Sequence, residues 1–483
     1  MKLNQKSGRA TVIIVALGTF MASFDINATN VALPLIQASF HTSIAAVEWV
    51  VVAYLLTLCA TQLTLGRVSD MYGLKKIYVI GFIGFTLSSL LCGLSTNIGM
   101  LIVFRVVQAL AASMLTSTGS AIVTNAVPSI NRGKALSMTA IAVAVATCAG
   151  PSFGGLLASY FGWNSIFFIN IPIGIIGTIL SIRIIKKDTP KENVKFDPIG
   201  SLLIMFALVM ILLPLDMISK ASVNPVFIVG SLIVGVLLIA IFIMYEMKCD
   251  HPILNLNLFK NRIFTASNFA AAFFFMCQFM MVFLSPYYLQ NQRLLSPSVA
   301  GLIMLPMSLG MMITAPISGA ISDRFDSRII SCAGLGILAA AILGYGTFHA
   351  STSFVLLLAG NAFFGIGSGF FNTPNNSAVM GSVPAENRGI AGATLGTMRN
   401  IGMVLGEAIA AALLSSNISY ATTKLSAQGV HGILLTQGAF SYAMRITCFV
   451  AVCCALVALA LSLVRGKVNK SELSKARESL KTS

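Results

Sequence analysis

Charge is what this chain has least of. Of its 483 residues only 10% are Asp, Glu, Lys or Arg, against 57% hydrophobic. A water-soluble fold of this length carries far more charge, so the shortage excludes one. Histidine is also scarce: His41, His251, His349 and His431 all fall between the long apolar runs, which excludes an intramembrane histidine relay. The nine cysteines show no spacing of a disulfide framework or a zinc site. No phosphate-binding lysine motif occurs. Gly365-Ile366-Gly367-Ser368-Gly369 follows no strand and lies inside an apolar run, so it reads as small-residue helix packing and not as a nucleotide loop. An ATP-driven pump is thereby excluded and no cofactor is expected. Short segments of alternating polarity are missing too, which excludes a barrel.

What is present is long hydrophobic runs. Fourteen are expected to cross a membrane as helices, each near the ~20 residues that a hydrocarbon core requires. They run over 10–34, 46–66, 77–95, 98–126, 136–159, 164–184, 198–218, 224–245, 263–288, 298–320, 329–348, 352–379, 389–414 and 439–464. The fold class expected is an all-α integral membrane protein. The net charge of +16 does not point to nucleic acid, because its placement follows the membrane. With the N-terminus inside, the inward loops and tails hold 25 of the 31 Lys and Arg, and the outward loops only Lys220, Arg293 and Lys424. That asymmetry predicts both termini in the cytoplasm of a multi-pass cell-membrane protein, its basic surplus facing anionic lipid. The first run is too long for a cleaved signal and reads as a retained anchor.

Two segments recur. Gly66-Arg67-Val68-Ser69-Asp70 returns as Gly319-Ala320-Ile321-Ser322-Asp323, and Val127-Pro128-Ser129-Ile130-Asn131-Arg132-Gly133 as Val383-Pro384-Ala385-Glu386-Asn387-Arg388-Gly389. The organisation expected is six spans (1–197), two intervening spans (198–246), six more spans (247–464) and a basic tail (465–483). Parallel repeats of this kind place a substrate site between two pseudo-symmetric lobes near the midplane. The second repeat also maps Gly150 onto Gly406 and Pro151 onto Glu407, so a carboxylate stands where the first half has a proline.

Charges inside the runs are the functional candidates, because an intramembrane carboxylate costs several kcal/mol unless paired, wetted or protonated. Asp25 lies roughly 22 Å along the first span, and Arg105 about 10 Å below the outer end of the fourth. These are similar depths, so an ion pair is possible. Glu407 lies some 27 Å along the thirteenth span, with Arg399 and Asn400 two turns below it. Asp25, Arg105 and Glu407 are the candidates for proton coupling. With two deep acids, one or two protons per cycle are expected. Asn27, Asn30, Gln108, Arg399, Asn400 and Met304 are candidates for the substrate cavity. Met304 belongs to a methionine group whose flexible thioethers suit a promiscuous site, although lipid-facing or core packing is the favoured account of it.

Five motifs then resemble the major facilitator superfamily, in particular its fourteen-helix drug:proton antiporter branch. They are Asp25 to Pro34, Gly66 to Lys76, Leu101 to Ala112, Gly150 to Gly155 and Trp163 to Gly174. Ala109, Met71 and Ala146 depart from the usual pattern of these motifs. The resemblance implies the major facilitator fold. It also implies a cytoplasmic gate at Gly66, Asp70, Gly73 and Lys75, echoed by Asp323, and an antiporter hinge at Gly150, Pro151, Gly154 and Gly155. The function it implies is proton-driven export of small amphipathic compounds, cationic or zwitterionic; a monomer is the default expectation. An anionic or lipid-like substrate, such as a fatty acid or siderophore, is the alternative. A non-transporting sensor with the same fold is a further one.

Overall fold

The structure is a computed structural model. It describes residues 2–127, 132–186, 197–217, 225–248, 256–383 and 388–466. The expected basic tail lies outside the described residues beyond Gly466. The helices are α1 (Lys2–Ser39), α2 (Ile44–Val47), α3 (Trp49–Tyr72), α4 (Leu74–Gly93), α5 (Ile98–Ala126), α6 (Arg132–Phe161), α7 (Ser165–Phe168) and α8 (Asn170–Ile184). They continue as α9 (Pro198–Met217), α10 (Pro225–Glu246), α11 (Arg262–Tyr287), α12 (Pro297–Arg324), α13 (Ser327–Tyr345), α14 (Phe354–Gly381), α15 (Arg388–Ala427) and α16 (Ile433–Val464). No strand occurs among the described residues.

Helix is the outcome that lipid imposes, since each backbone N–H and C=O must find its partner within the segment. Twelve helices among the described residues are long and apolar enough to cross a membrane. α6 and α9 cover the other two expected runs. Polar residues mark the helix ends: Asn97, Ser296 and Ser353 accept from the first turns of α5, α12 and α14. Gly73, between α3 and α4, has φ of 98°, a conformation that a side chain would strain.

Helices α1 to α8 pack on one another, as do α11 to α16. The two groups meet mainly through α6 on α12, α3 on α15 and α1 on α11. The repeat is visible in this packing. Gly150 of α6 lies against Asn27 and Ala28 of α1, and Gly406 of α15 lies against the Met276 carbonyl of α11, the pseudo-equivalent helix. The glycine absent at Ala146 appears at its echo, Gly402, pressed on the Ala272 carbonyl. α9 packs on both α3 and α15, so it covers a seam between the groups, while α10 packs on α9.

The ends of each group are tied on the face where α1 begins and α16 ends. In the first group, Lys75 at the start of α4 donates to the Ile182 carbonyl of α8 at 2.7 Å. In the second, the reach is reversed. Arg465, just past α16 and fully buried, donates to Ser327 Oγ (3.1 Å) and Ser331 Oγ (3.4 Å) at the start of α13. It also donates to Asn375 Oδ1 of α14 at 3.2 Å, and Asn375 in turn donates to the Ser267 carbonyl of α11 at 3.0 Å. Four helices are joined through one guanidinium. Replacing Arg465 by Ala strands these acceptors, and hydrogen bonds to a charged group contribute about 1.5–3 kcal/mol each. Arg465→Ala is therefore expected to lower the thermal unfolding midpoint in detergent clearly, with Arg465→Lys recovering part of the loss. An unchanged midpoint would show the clasp to be dispensable.

Candidate functional site

Asp25 sits in α1 with no exposure, and its carboxylate is held from two other helices. Arg105 Nη1 of α5 pairs with Oδ2. Asn170 Nδ2 of α8 donates to Oδ1 at 2.8 Å, and Gln108 Nε2 of α5 donates to the same oxygen at 3.2 Å. Gln108 also accepts from Arg105 Nη1 at 2.6 Å and donates to Ser89 Oγ of α4 at 2.8 Å. Arg105 Nε donates to the Val50 carbonyl of α3 at 2.9 Å, and the guanidinium lies 4.2 Å from the centre of the Tyr54 ring. The matched depths of Asp25 and Arg105 thus correspond to a contact. The one-turn spacing of Arg105 and Gln108 on α5 lets both reach the same carboxylate. A buried ion pair is costly unless its spare donors and acceptors are also engaged, and the two amides serve that purpose for the Asp25 carboxylate.

Glu407 is the contrast. It too is fully buried, yet neither carboxylate oxygen has a hydrogen-bond partner. It takes no part in the ion pairs Arg105–Asp25 and Arg328–Asp326. Arg399 on the same helix turns to the Phe275 ring, 5.9 Å away, and its Nε has no acceptor. Asn400 donates to Gln62 Oε1 of α3 at 2.5 Å, a contact between the two helix groups.

The other candidates divide. Gln108 belongs to the Asp25 network and not to a cavity. Asn27 donates to the Ser23 carbonyl at 2.7 Å and backs onto Gly150, which makes it packing for α6. Met304 is 1% exposed in the apolar core, so packing accounts for it. Asn30 is buried with both side-chain polar atoms unpartnered and remains available to a ligand. Along the motif of α6, a Cβ on Gly154 would strike Ala28, and one on Gly155 would strike the Pro297 carbonyl of α12. A Cβ on Gly301 of α12 would strike the Pro151 carbonyl, while Ser152 Oγ donates to the Gly301 carbonyl at 3.2 Å. These residues close the two groups together on the face opposite the termini. At the expected gate, Gly66 stands near Ser117 of α5, whereas the side chains of Asp70 and Asp323 lie outside the described residues.

Sequence reasoning missed two participants in this region. Asn170 was legible only as part of a motif, because nothing in the spacing shows that α8 meets Asp25. Glu48, 1% exposed at the junction of α2 and α3, is a further buried acid besides Asp25 and Glu407. Its position two residues into the second expected run was the available signal.

Removing one partner of a buried ion pair costs about 3–5 kcal/mol, whereas replacing both by neutral groups costs less. Arg105→Gln alone is expected to lower the unfolding midpoint more than Arg105→Gln combined with Asp25→Asn, as read by thermal shift in detergent. Additive losses would contradict the pairing.

The comparisons with known proteins agree with this architecture. The chain is 36% identical to the riboflavin transporter RibZ of Clostridioides difficile, across 85% of this chain and 89% of that one. It is 32% identical to the multidrug resistance protein Stp of Mycobacterium tuberculosis, across 85% and 76%. Among solved structures it resembles a bacterial homologue of the human lysosomal transporter Spinster, inward-facing and unoccupied, with a TM-score of 0.67 at 15% identity over 95% of this chain and 97% of that one. The model of the Major Facilitator Superfamily matches residues 15–256 and 266–482, so the chain belongs to that superfamily and is a membrane transporter, not an enzyme.

Proposed function

We propose that this transporter is a proton-coupled antiporter that exports small amphipathic compounds, cationic or zwitterionic, by alternating access. The observation that carries the reading is Glu407, a buried carboxyl with no partner between helices of the second group. A bare carboxylate in a dry interior is costly, and either a proton or a cationic substrate removes the cost. The two are then mutually exclusive at one residue, which is the elementary condition for exchange. Asp25 is unsuited to that part, since Arg105, Gln108 and Asn170 already satisfy its charge. Its task in this reading is to hold α1, α5 and α8 as one body while the groups rock. The tight seam at Pro151, Gly155 and Gly301 serves as the hinge that keeps the side opposite the termini shut.

With both termini cytoplasmic, a proton moving inward supplies about 1.4 kcal/mol per pH unit and roughly 2.3 kcal/mol per 100 mV. One or two protons then sustain a tenfold to several-hundredfold substrate gradient. A second reading follows from the riboflavin transporter among the relatives: a planar, uncharged heterocycle held by amides. Asn30 and the Asn400–Gln62 pair provide such groups.

Everted membrane vesicles with an imposed pH gradient separate the readings. The expected result is proton-dependent transport of dye and quaternary ammonium probes, reduced at least about tenfold by Glu407→Gln. Transport of riboflavin alone would favour the second reading. Movement of any substrate that ignores the pH gradient would end the antiport reading.

A further inference from the structure

On the face opposite the termini, the second helix group carries bases without acids. No Asp or Glu occurs over 262–322, 327–385 or 408–471, yet Arg293 and Arg445 stand near that face. Arg445 lies six residues inside the last apolar run, or about 9 Å deep. It is exposed, on a stripe of α16 with the exposed rings of Tyr442 and Phe449. No described residue forms a hydrogen bond or ion pair with it. A cation on a lipid-facing stripe extends toward the headgroups. Side chains of a helix lean toward its start, and α16 starts at this face. The Arg445 guanidinium is thereby carried toward Ser441, one turn earlier on the same side of the helix. Ser441 borders a recess of about 360 Å³ among the end of α11, the loop before α14 and the first turns of α16. Gln292, His349, Ser351 and Gln437 line it too. Gln292 is 3% exposed and donates to Ser441 Oγ at 2.6 Å, while its Oε1 has no partner. Arg293 fixes the loop wall through the carbonyls of Ala350 and Thr352. The lining offers amides, hydroxyls and an imidazole, and no carboxylate.

We propose that Arg445 and this recess form a binding site for one anionic phospholipid with a hydroxylated headgroup, taken from the leaflet on the face opposite the termini. The Arg445 guanidinium meets the phosphate in a charge-assisted contact. The headgroup hydroxyls enter the recess, where the amides of Gln292 and Gln437 and the hydroxyl of Ser351 supply acceptors and donors. The acyl chains run down the exposed stripe past Phe449 and Leu456. Recess, arginine and apolar stripe follow one another along α16 in the order of headgroup, phosphate and chain in a standing lipid. An ammonium headgroup fits less well, since the recess holds no carboxylate to balance it and Arg293 braces its wall. A soluble anion has no use for the stripe beneath Arg445. The site lies wholly within the second group and does not depend on the role given to Glu407.

Native mass spectrometry of the delipidated protein in detergent tests the site, with titration of phosphatidylglycerol, phosphatidic acid, phosphatidylcholine and soluble glycerol phosphate. The wild type is expected to hold phosphatidylglycerol most tightly and phosphatidic acid, which lacks the hydroxylated headgroup, less tightly. Phosphatidylcholine and glycerol phosphate are expected to bind weakest. Arg445→Gln is expected to raise the dissociation constant for phosphatidylglycerol at least about tenfold, with Arg445→Lys in between. Arg183→Gln, at an exposed position in the last turn of α8, serves as the control and is expected to bind as the wild type does. Ser351→Trp, at an exposed loop position, fills the recess and is expected to remove the preference for phosphatidylglycerol over phosphatidic acid. Arg445→Gln binding equal to that of the wild type overturns the proposal, as does an equal loss in Arg183→Gln. Phosphatidylcholine held as tightly as phosphatidylglycerol overturns it too, and glycerol phosphate held as tightly would make the site one for a soluble anion. Should Arg445→Gln fail to fold, Ser351→Trp decides, and an unaltered preference there also overturns the proposal.

Discussion

The contact between Arg105 and Asp25 is the interaction on which the first half of the molecule depends. It places opposite charges where lipid surrounds the bundle, and it recruits Gln108, Asn170, Ser89 and the Val50 carbonyl as further hydrogen-bond partners. α1, α3, α4, α5 and α8 are thereby fixed to one another by polar contacts that have no substitute in hydrocarbon. Apolar packing between transmembrane helices provides little orientation by itself, since lipid tails compete equally well for the same surfaces. A network of this kind specifies which helices are neighbours and at what height. In the second half a different device, the Arg465 clasp, joins α11, α13, α14 and α16 at one end. Among the described residues no comparable network surrounds Glu407, whose carboxylate oxygens have no hydrogen-bond partner.

This difference between the halves is the physical basis of the proposed coupling. The repeat supplies the same glycine contacts on both sides, Gly150 against α1 and Gly406 against α11. The next residue then differs: Pro151 seals against α12, and Glu407 presents a bare carboxyl. One position of the duplicated framework has become a seam and the other a titratable site.

Much of this was legible in the sequence because membrane folding leaves few alternatives. The apolar runs located the helices, and the rise per residue placed Asp25 and Arg105 at one depth. The offset between the repeats matched Pro151 to Glu407. Contacts between helices far apart in sequence were not legible. Asn170 reaches Asp25 only because α8 lies beside α1. Gln108 and Asn27 looked suited to a cavity until the side-chain directions were known. Arg465 looked like one more charge of a basic tail, although it is fully buried against α13 and α14. Glu48 sat at the edge of a hydrophobic run, where snorkelling toward water is the usual outcome. The break between α2 and α3 turns it inward, and no local pattern announces that break.

The central claim is that the transported proton resides at Glu407 while Asp25 stays an ionised partner of Arg105. Infrared difference spectra of the purified protein between acidic and alkaline buffer observe this directly, through the carbonyl band of a protonated carboxyl. The account predicts a band that survives Asp25→Asn and disappears with Glu407→Gln. A band that vanishes with Asp25→Asn and persists with Glu407→Gln would contradict it.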